Sequence, residues 1–92
     1  EYIKTPEKIA RIKLFCPYSN MTCYLLEYNR DERVGFAVMT MDGFEWEFTY
    51  VSIQELEEIY FLPGVKAIER DLFFSETPLR DIEELGDFIG ER

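Results

Sequence analysis

Carboxylates are the side chains best suited to chemistry in this chain, because it has no histidine and only two cysteines. Without histidine it lacks the usual general base of serine and cysteine hydrolases and a common zinc ligand. The remaining catalytic hypothesis is a metal-dependent enzyme in which Glu27, Glu69 and Asp71 hold Mg²⁺ through carboxylate oxygens. An ion-paired structural turn around Arg70 explains the segment 69–71 more simply, because a few scattered acids rarely suffice for a metal. The sequence therefore predicts no enzymatic activity, no metal and no cofactor.

Cys16 and Cys23 are the other reactive side chains, and they flank a short connection between two predicted strands. A disulfide would be possible if their Cα atoms came within about 4.4–6.8 Å of each other. Two cysteines are too few for a disulfide framework, and free thiols are the usual state in a reducing cytoplasm. We therefore expect free thiols, with a disulfide as the alternative.

The strongest sign of a binding function is the acidic charge. The chain has 19 acidic against 10 basic residues, for a net charge of −9, and the excess of acids lies in residues 39–92. This charge argues against direct binding to nucleic acid or to an anionic membrane, where clustered Lys and Arg are needed. It favours a basic protein partner. The residues expected to contact that partner are Asp42, Glu45, Glu47, Glu55, Glu57, Glu58, Asp81, Glu83, Glu84 and Asp87.

Two explanations of these acidic residues remain open. Duplex DNA carries one negative charge about every 1.7 Å along its axis, so a rigid row of carboxylates can occupy a DNA-binding groove in place of phosphates. Alternatively, the carboxylates are ordinary solvent-facing residues that keep a small protein soluble. Their positions along the chain permit convergence on one surface without establishing it.

Four strands are predicted from the alternation of apolar and polar residues. They cover residues 9–16, 22–28, 34–41 and 44–50. The turns between them contain Pro, Ser, Asn and Asp, and Asp42-Gly43 suits the positive φ of a tight hairpin. In the fourth strand the aromatic side chains from Phe44 to Tyr50 are expected to be buried, while Glu45 and Glu47 face solvent.

Two helices and a fifth strand follow. Ser52-Ile53-Gln54-Glu55 matches a capping box, and the apolar stripe behind it predicts a helix that ends at Pro63-Gly64. Residues 65–74 are expected to form a loop that enters a short fifth strand. Thr77-Pro78 has the character of an N-cap and N1 pair, which predicts a second helix over 78–85 that ends at Gly86.

These elements predict an α+β fold: a four-stranded antiparallel meander plus a short fifth strand, with two short helices. The 92 residues form one small domain, residues 1–92, since a second core could not be filled. No stretch approaches the roughly 20 apolar residues that a membrane span needs. The first residues do not form a signal peptide. We therefore expect a soluble cytoplasmic protein.

Several segments together resemble a known family. They read Leu-Phe-Cys-Pro-Tyr-Ser-Asn-Met-Thr-Cys-Tyr over residues 14–24, Val-Ser-Ile-Gln-Glu-Leu over 51–56 and Ile-Glu-Arg-Asp-Leu-Phe-Phe over 68–74, with Glu27-Tyr28 and Gly35-Phe36 between them. The pattern is similar to that of domain-of-unknown-function family 2958, small proteins of bacterial plasmids, phages and integrated elements. Cys16 and Cys23 stand where that family usually has threonine and tryptophan. The resemblance implies a mobile-element setting in a bacterial host and assigns no catalytic residues.

Charge and resemblance together predict a small non-enzymatic inhibitor of a host nucleic-acid-binding defence protein. It would be anti-CRISPR-like or anti-restriction, and it would act by mimicking DNA. Phage and plasmid proteins of this size and charge are often inhibitors of host nucleases, and this analogy supports the hypothesis. The alternatives are the metal-dependent enzyme described above and a structural homodimer that buries a sheet edge.

Overall fold

The computed structural model describes residues 8–90, apart from the side chains of residues 60–62, 87 and 90. Within this range the chain forms nine strands: β1 (Ile9–Ala10), β2 (Ile12–Phe15), β3 (Thr22–Asn29), β4 (Val34–Thr40), β5 (Glu47–Ser52), β6 (Tyr60–Leu62), β7 (Val65–Lys66), β8 (Glu69–Arg70) and β9 (Thr77–Pro78). The helices are α1 (Ile53–Glu57) and α2 (Gly86–Gly90), and two 3₁₀ turns cover Leu79–Asp81 and Glu83–Leu85. In this part of the chain no helix is long and apolar enough to cross a membrane.

The main sheet has five antiparallel strands in the order β5-β4-β3-β2-β8. Two further pairs, β1 with β9 and β6 with β7, are also antiparallel. The prediction of mostly antiparallel strands with a short helix is confirmed. The strand count is higher than predicted, because four short strands outside the main sheet form these two extra pairs.

Both faces of the main sheet are apolar. On the front face, Tyr24, Phe36 and Val38 form a buried cluster that the C-terminal segment covers with Leu79, Ile82 and Leu85. On the back face, the buried residues are Met21, Cys23, Leu25, Ala37 and Val51, and they contact Ile53 and Leu56 from α1. Because successive side chains of a strand point to opposite faces, β3 and β4 supply both clusters, and residues 23–26 and 35–38 are all buried.

The single strand predicted over residues 9–16 is wrong, because the chain changes sheets at Arg11. β1 pairs with β9, whereas β2 pairs with β3 in the main sheet. The N–H of Arg11 donates a hydrogen bond of 2.8 Å to the carbonyl oxygen of Leu25. As a result, Ala10 lies in the front cluster and Ile12 packs against the back cluster, although simple alternation places them on one face.

The fourth predicted strand begins later than expected. Gly43 has the predicted positive φ of 89°, but β5 starts at Glu47, and Phe44 is 83% exposed in the preceding loop. The side chains of Thr40 and Asp42 accept hydrogen bonds from the backbone N–H groups of Gly43, Phe44 and Glu45. Such local bonds compete with strand pairing, so residues 41–46 form a loop.

The first predicted helix is correct at its start and wrong at its end. Ser52 is the N-cap, and its hydroxyl oxygen accepts a hydrogen bond of 3.2 Å from the N–H of Glu55. The helix ends at Glu57, and residues 60–66 form the β6–β7 hairpin around Gly64, where φ is 81°. Aromatic residues favour strands, and Pro63-Gly64 serves as the turn of this hairpin instead of terminating a helix.

The second predicted helix, residues 78–85, is replaced by two 3₁₀ turns, and Gly86 begins α2 instead of ending a helix. Leu79, Ile82 and Leu85 are spaced three residues apart, and all three are buried. Ile82 separates the two turns with an extended backbone (φ −90°, ψ 112°), and the side chains of Leu79, Ile82 and Leu85 all lie in the front cluster. Thr77 and Pro78 pair with β1 instead of capping a helix.

Candidate functional site

An acidic cleft lies at the end of the main sheet where β4 ends and β3 begins. Thr22 of β3 pairs with Thr40 of β4, so the turn over residues 16–21 and the loop over residues 41–46 are neighbours. A Cβ atom on Gly43 would lie 3.2 Å from the Cβ of Asn20, which shows that the two connections touch. The cleft has a volume of about 490 Å³. Its charged lining residues are Lys13, Asp42, Asp71 and Glu84.

The loop itself fixes the carboxylate of Asp42. Its Oδ1 accepts hydrogen bonds from the N–H of Phe44 at 2.8 Å, the N–H of Glu45 at 3.0 Å and the hydroxyl of Thr40 at 3.0 Å. The N–H of Glu45, followed by that of Phe44, lowers the pKa of Asp42 below its ordinary value. Asp42 therefore stays ionised and is held in one orientation.

Glu84 reaches the cleft from the C-terminal segment and accepts a hydrogen bond from the hydroxyl of Tyr24. Tyr24 is only 3% exposed. Burial, reinforced by the bond to Glu84, raises the pKa of Tyr24 above its ordinary value. The tyrosine therefore remains a protonated donor and positions the Glu84 carboxylate at the cleft.

Asp71 reaches the cleft from the segment that follows β8. Its N–H donates to the carbonyl oxygen of Lys13 at 2.9 Å, and its Oδ1 accepts from the N–H of Phe73 at 2.9 Å. The Nζ of Lys13 lies 5.7 Å from the ring centroid of Tyr24. The cleft thus combines three carboxylates from three separate segments with a single amine among its charged lining residues.

Exposed apolar side chains flank the cleft on the same connections. Tyr18 lies on the turn over 16–21, Met41 and Phe44 lie on the loop over 41–46, and Leu72 and Phe73 follow Asp71 directly. Phe73 is 99% exposed and Leu72 is 82% exposed. Large apolar side chains that stay exposed together are typical of protein interaction sites. We refer to the cleft, these five side chains and the nearby Glu45 and Glu47 as the acidic end.

The ten predicted partner-binding residues do not all gather there. Glu45 and Glu47 lie exposed where the loop enters β5, and Asp81 and Glu83 lie exposed on the 3₁₀ turns beside Glu84. Glu55, Glu57 and Glu58 lie beyond the other end of β5, in or next to α1. The side chain of Asp87 is outside the description.

The carboxylates near α1 have local partners. Glu57 forms an ion pair with Arg33, and Glu58 accepts a hydrogen bond of 3.3 Å from the side chain of Gln54. The N–H of Ile53 bonds to the carbonyl oxygen of Arg33, which fixes α1 at the turn between β3 and β4. This second acidic group therefore lies at the opposite end of β4 and β5 from the cleft.

The metal-site hypothesis has no support in the arrangement of its residues. Glu27 lies 3.7 Å from the Nζ of Lys8, and Glu69 pairs with Phe15 at the edge of the sheet. Among the side chains that the structure describes, no group of three from His, Cys, Asp or Glu could hold a metal ion. The segment 69–71 is also not the ion-paired turn predicted as the simpler explanation, because Glu69 and Arg70 form the strand β8.

Both cysteines are free thiols in this structure. Cys23 is fully buried on β3, and Cys16 is half-buried and packs against the same back-face cluster. Burial raises the pKa of the Cys23 thiol to about 12. Cys23 is therefore a packing residue rather than a reactive group.

The sequence analysis did not include Lys13, Tyr24 or Asp71 in the candidate site. A signal for them was present, because residues 14–24 and 68–74, two of the segments that carry the family resemblance, both contribute to the cleft. Lys13 precedes the first of these segments by one position. Only the pairing of β8 with β2 shows that the two segments meet.

Comparison with known proteins agrees with the resemblance. The family model DUF2958, described as a protein of unknown function, matches residues 3–86. Searches of curated proteins and of solved structures each returned no match. The matched range includes every strand from β1 to β9 and all the charged residues that line the cleft. The chain therefore belongs to the DUF2958 family.

Proposed function

We propose that this protein is a non-enzymatic binding protein whose acidic end docks on the basic nucleic-acid-binding surface of another protein. The observation that carries this proposal is the cleft in which Asp42, Asp71 and Glu84 converge from three segments. Hydrogen bonds within the protein hold each carboxylate. Charges that are already oriented lose little freedom on binding, which favours recognition of a basic partner.

The expected mode of action is DNA mimicry. A partner that binds phosphates with Lys and Arg would accept fixed carboxylates in their place. Exposed aromatic groups such as Phe44 and Phe73 would supply the apolar anchors that fixed charge alone lacks. We further propose that the partner is a defence nuclease in the cytoplasm of a bacterial host, with an anti-CRISPR-like or anti-restriction outcome.

The surface that we propose is smaller than the set of ten acidic residues named from the sequence. Asp42, Asp71 and Glu84 line the cleft, and Glu45 and Glu47 lie next to it, whereas Glu55, Glu57 and Glu58 lie at the other end of the sheet. This separation supplies a matched control. Glu45→Lys with Glu47→Lys changes the net charge as much as Glu55→Lys with Glu58→Lys, and all four side chains are exposed.

The test begins with the tagged protein in nuclease-treated lysate of a bacterial host that carries defence systems. Bound proteins are eluted with a salt gradient and identified by mass spectrometry. We expect a nucleic-acid-binding protein that elutes as salt rises, because salt screens charge pairs across an exposed interface. Duplex DNA should displace it from the bait.

The two double variants then test whether the acidic end is the surface that binds the captured protein. We expect E45K/E47K to lose most of the captured protein and E55K/E58K to retain it. Equal retention by both variants would show that the acidic end is not the binding surface. Failure of duplex DNA to compete would show that the partner does not use its nucleic-acid site.

A further inference from the structure

β5 is the longer of the two outer strands of the main sheet. It pairs with β4 on one side and is the last strand in the sheet order, whereas the opposite edge is the two-residue strand β8. The pairing of β4 with β5 is continuous from Val34 opposite Ser52 to Met39 opposite Glu47, without a bulge. Proline and bulges, which commonly block sheet edges, are both absent from β5.

The backbone N–H and C=O groups of Tyr50 point away from the neighbouring strand β4. The hydrogen bond from the N–H of Ile53 to the carbonyl oxygen of Arg33 makes these two residues a hydrogen-bonded pair of the ladder. Such pairs alternate along an antiparallel ladder. Thr49 and Val51 are therefore bonded to β4, and Tyr50 directs its N–H and C=O outward.

The contacts of Tyr50 agree with an open edge. Its carbonyl oxygen accepts a hydrogen bond of 3.3 Å from the hydroxyl of the adjacent Thr49, and the alternation of the ladder gives its N–H no acceptor in β4. Its side chain is 68% exposed. A strand laid beside β5 would find a donor, an acceptor and an aromatic side chain available at this residue.

The negative charge near this edge indicates which kind of strand could pair with β5. Glu45 and Glu47 lie exposed where β5 leaves the acidic end. The net charge of −9 disfavours a second copy of this chain at the edge, because like charges would repel each other. A strand with Lys or Arg at alternate positions would instead place cations beside these carboxylates.

We propose that the β5 edge receives an extended basic strand of the partner protein. The strand forms main-chain hydrogen bonds with Tyr50 and continues past Glu47 and Glu45 towards the cleft. Main-chain bonds then supply part of the affinity, and the carboxylates select the basic sequence. This inference rests on the proposed function, because it specifies how the same partner would approach the acidic end.

The test uses a short peptide of alternating lysine and valine, and the same peptide with an N-methyl group on every backbone nitrogen. Methylation keeps the charge and removes backbone donors. Binding is measured by calorimetry, and protection of individual amides is measured by hydrogen exchange with NMR detection. We expect slower exchange of the Tyr50 amide in the complex and at least about tenfold weaker binding of the methylated peptide, since two or more hydrogen bonds are lost.

Two variants of the protein separate the backbone from the side chain. Tyr50→Pro removes the outward N–H and is compatible with an edge strand, whereas Tyr50→Thr removes the ring and keeps the N–H. We expect Tyr50→Pro to weaken binding of the unmethylated peptide about fivefold relative to Tyr50→Thr. Circular dichroism tests whether both variants are folded. If Tyr50→Pro unfolds, hydrogen exchange of the backbone amide at position 50 in Tyr50→Thr gives the same readout.

Equal binding of the two peptides, or unchanged exchange at Tyr50, would overturn strand addition. If that binding remained salt-dependent and were lost in E45K/E47K, the acidic end would still stand as the binding surface. A doubled mass in solution that Tyr50→Pro reverts to a monomer would also overturn the proposal, because it would show that a second copy occupies the edge.

Discussion

At the scale of single residues, Asp42 links the local structure to the cleft. Its carboxylate organises the loop over residues 41–46 through bonds to Thr40, Phe44 and Glu45, and it is also one of the charges that line the cleft. Aspartate side chains commonly accept hydrogen bonds from nearby backbone N–H groups in turns and loops. Here the same bonds hold a negative charge in a fixed position.

The pH dependence of stability tests this role of Asp42. Its pKa is lowered in the folded protein, so its ionised form stabilises the fold above the unfolded pKa of about 3.9. This contribution is lost as the pH falls through the lower folded pKa. We expect Asp42→Asn to be less stable at neutral pH and to lose less stability between pH 5 and pH 2.

Urea denaturation at a series of pH values measures this effect. Asp31→Asn, which changes an exposed carboxylate on the turn between β3 and β4, is the matched control and should follow the wild-type profile. If the stability of Asp42→Asn changed with pH in parallel with that of the wild type, the ionised carboxylate of Asp42 would not stabilise the fold.

Cys23 provides a second test at this scale. The thiolate is the reactive form of cysteine, and burial raises the pKa of this thiol to about 12. At pH 8 we expect Cys16 to react with Ellman's reagent and Cys23 to react only after unfolding. Cys16→Ser should therefore show almost no fast-reacting thiol. Rapid labelling of Cys23 in that variant would mean that the back face of the sheet opens readily.

At the scale of elements, the C-terminal segment contributes both to the core and to the cleft. Leu79, Ile82 and Leu85 lie three residues apart and pack against the front face through 3₁₀ turns. This packing also carries Glu84 to Tyr24, so the segment both covers the core and completes the cleft. Loss of the segment from the front face would therefore remove one of the three carboxylates.

Leu85 tests how much this segment contributes to the core, since its side chain is 0% exposed. Leu85→Ala should lower the free energy of unfolding by about 2–5 kcal/mol, from lost burial and the cavity left behind. Glu83→Ala, an exposed change in the same turn, should remain within about 0.5 kcal/mol of the wild type. Chemical denaturation measures both values. Similar stability of the two variants would mean that the segment contributes little to the core.

At the scale of the whole molecule, a net charge of −9 on 92 residues places the folded state under self-repulsion. Lys8–Glu27, Arg11–Glu76 and Arg33–Glu57 are ion pairs of the described side chains. Each involves at least one exposed side chain, so their contribution to stability is small. Because the chain has 19 acidic and only 10 basic residues, much of its negative charge is not compensated within the molecule.

Salt should consequently stabilise this protein. Screening weakens the repulsion among carboxylates in the compact state more than in the expanded chain. We expect the free energy of unfolding, measured with urea, to rise between 10 mM and 500 mM NaCl. E55K/E58K, which has a less negative net charge, should show a smaller rise in the free energy of unfolding. A fall in stability with added salt would indicate that attractive charge pairs outweigh the repulsion.

Local patterns in the sequence determined a substantial part of this structure. Alternation located β3 and β4, the serine at position 52 located the start of α1, and glycine located the positive φ at position 43. These features depend on hydrogen bonds and steric limits among neighbouring residues, so a short window of sequence is sufficient to predict them. The acidic charge and the membership of the family were also present in the sequence.

Tertiary structure alone decided how these parts meet. Alternation gives no reason for the chain to change sheets at Arg11, and an apolar stripe does not distinguish a longer helix from the β6–β7 hairpin. The cleft depends on strand pairing and on the packing of the C-terminal segment, which bring Asp42, Asp71 and Glu84 together while α1 lies at the opposite end. The physical reason is that packing and strand pairing between distant segments are set by competition across the whole chain, which no local window contains.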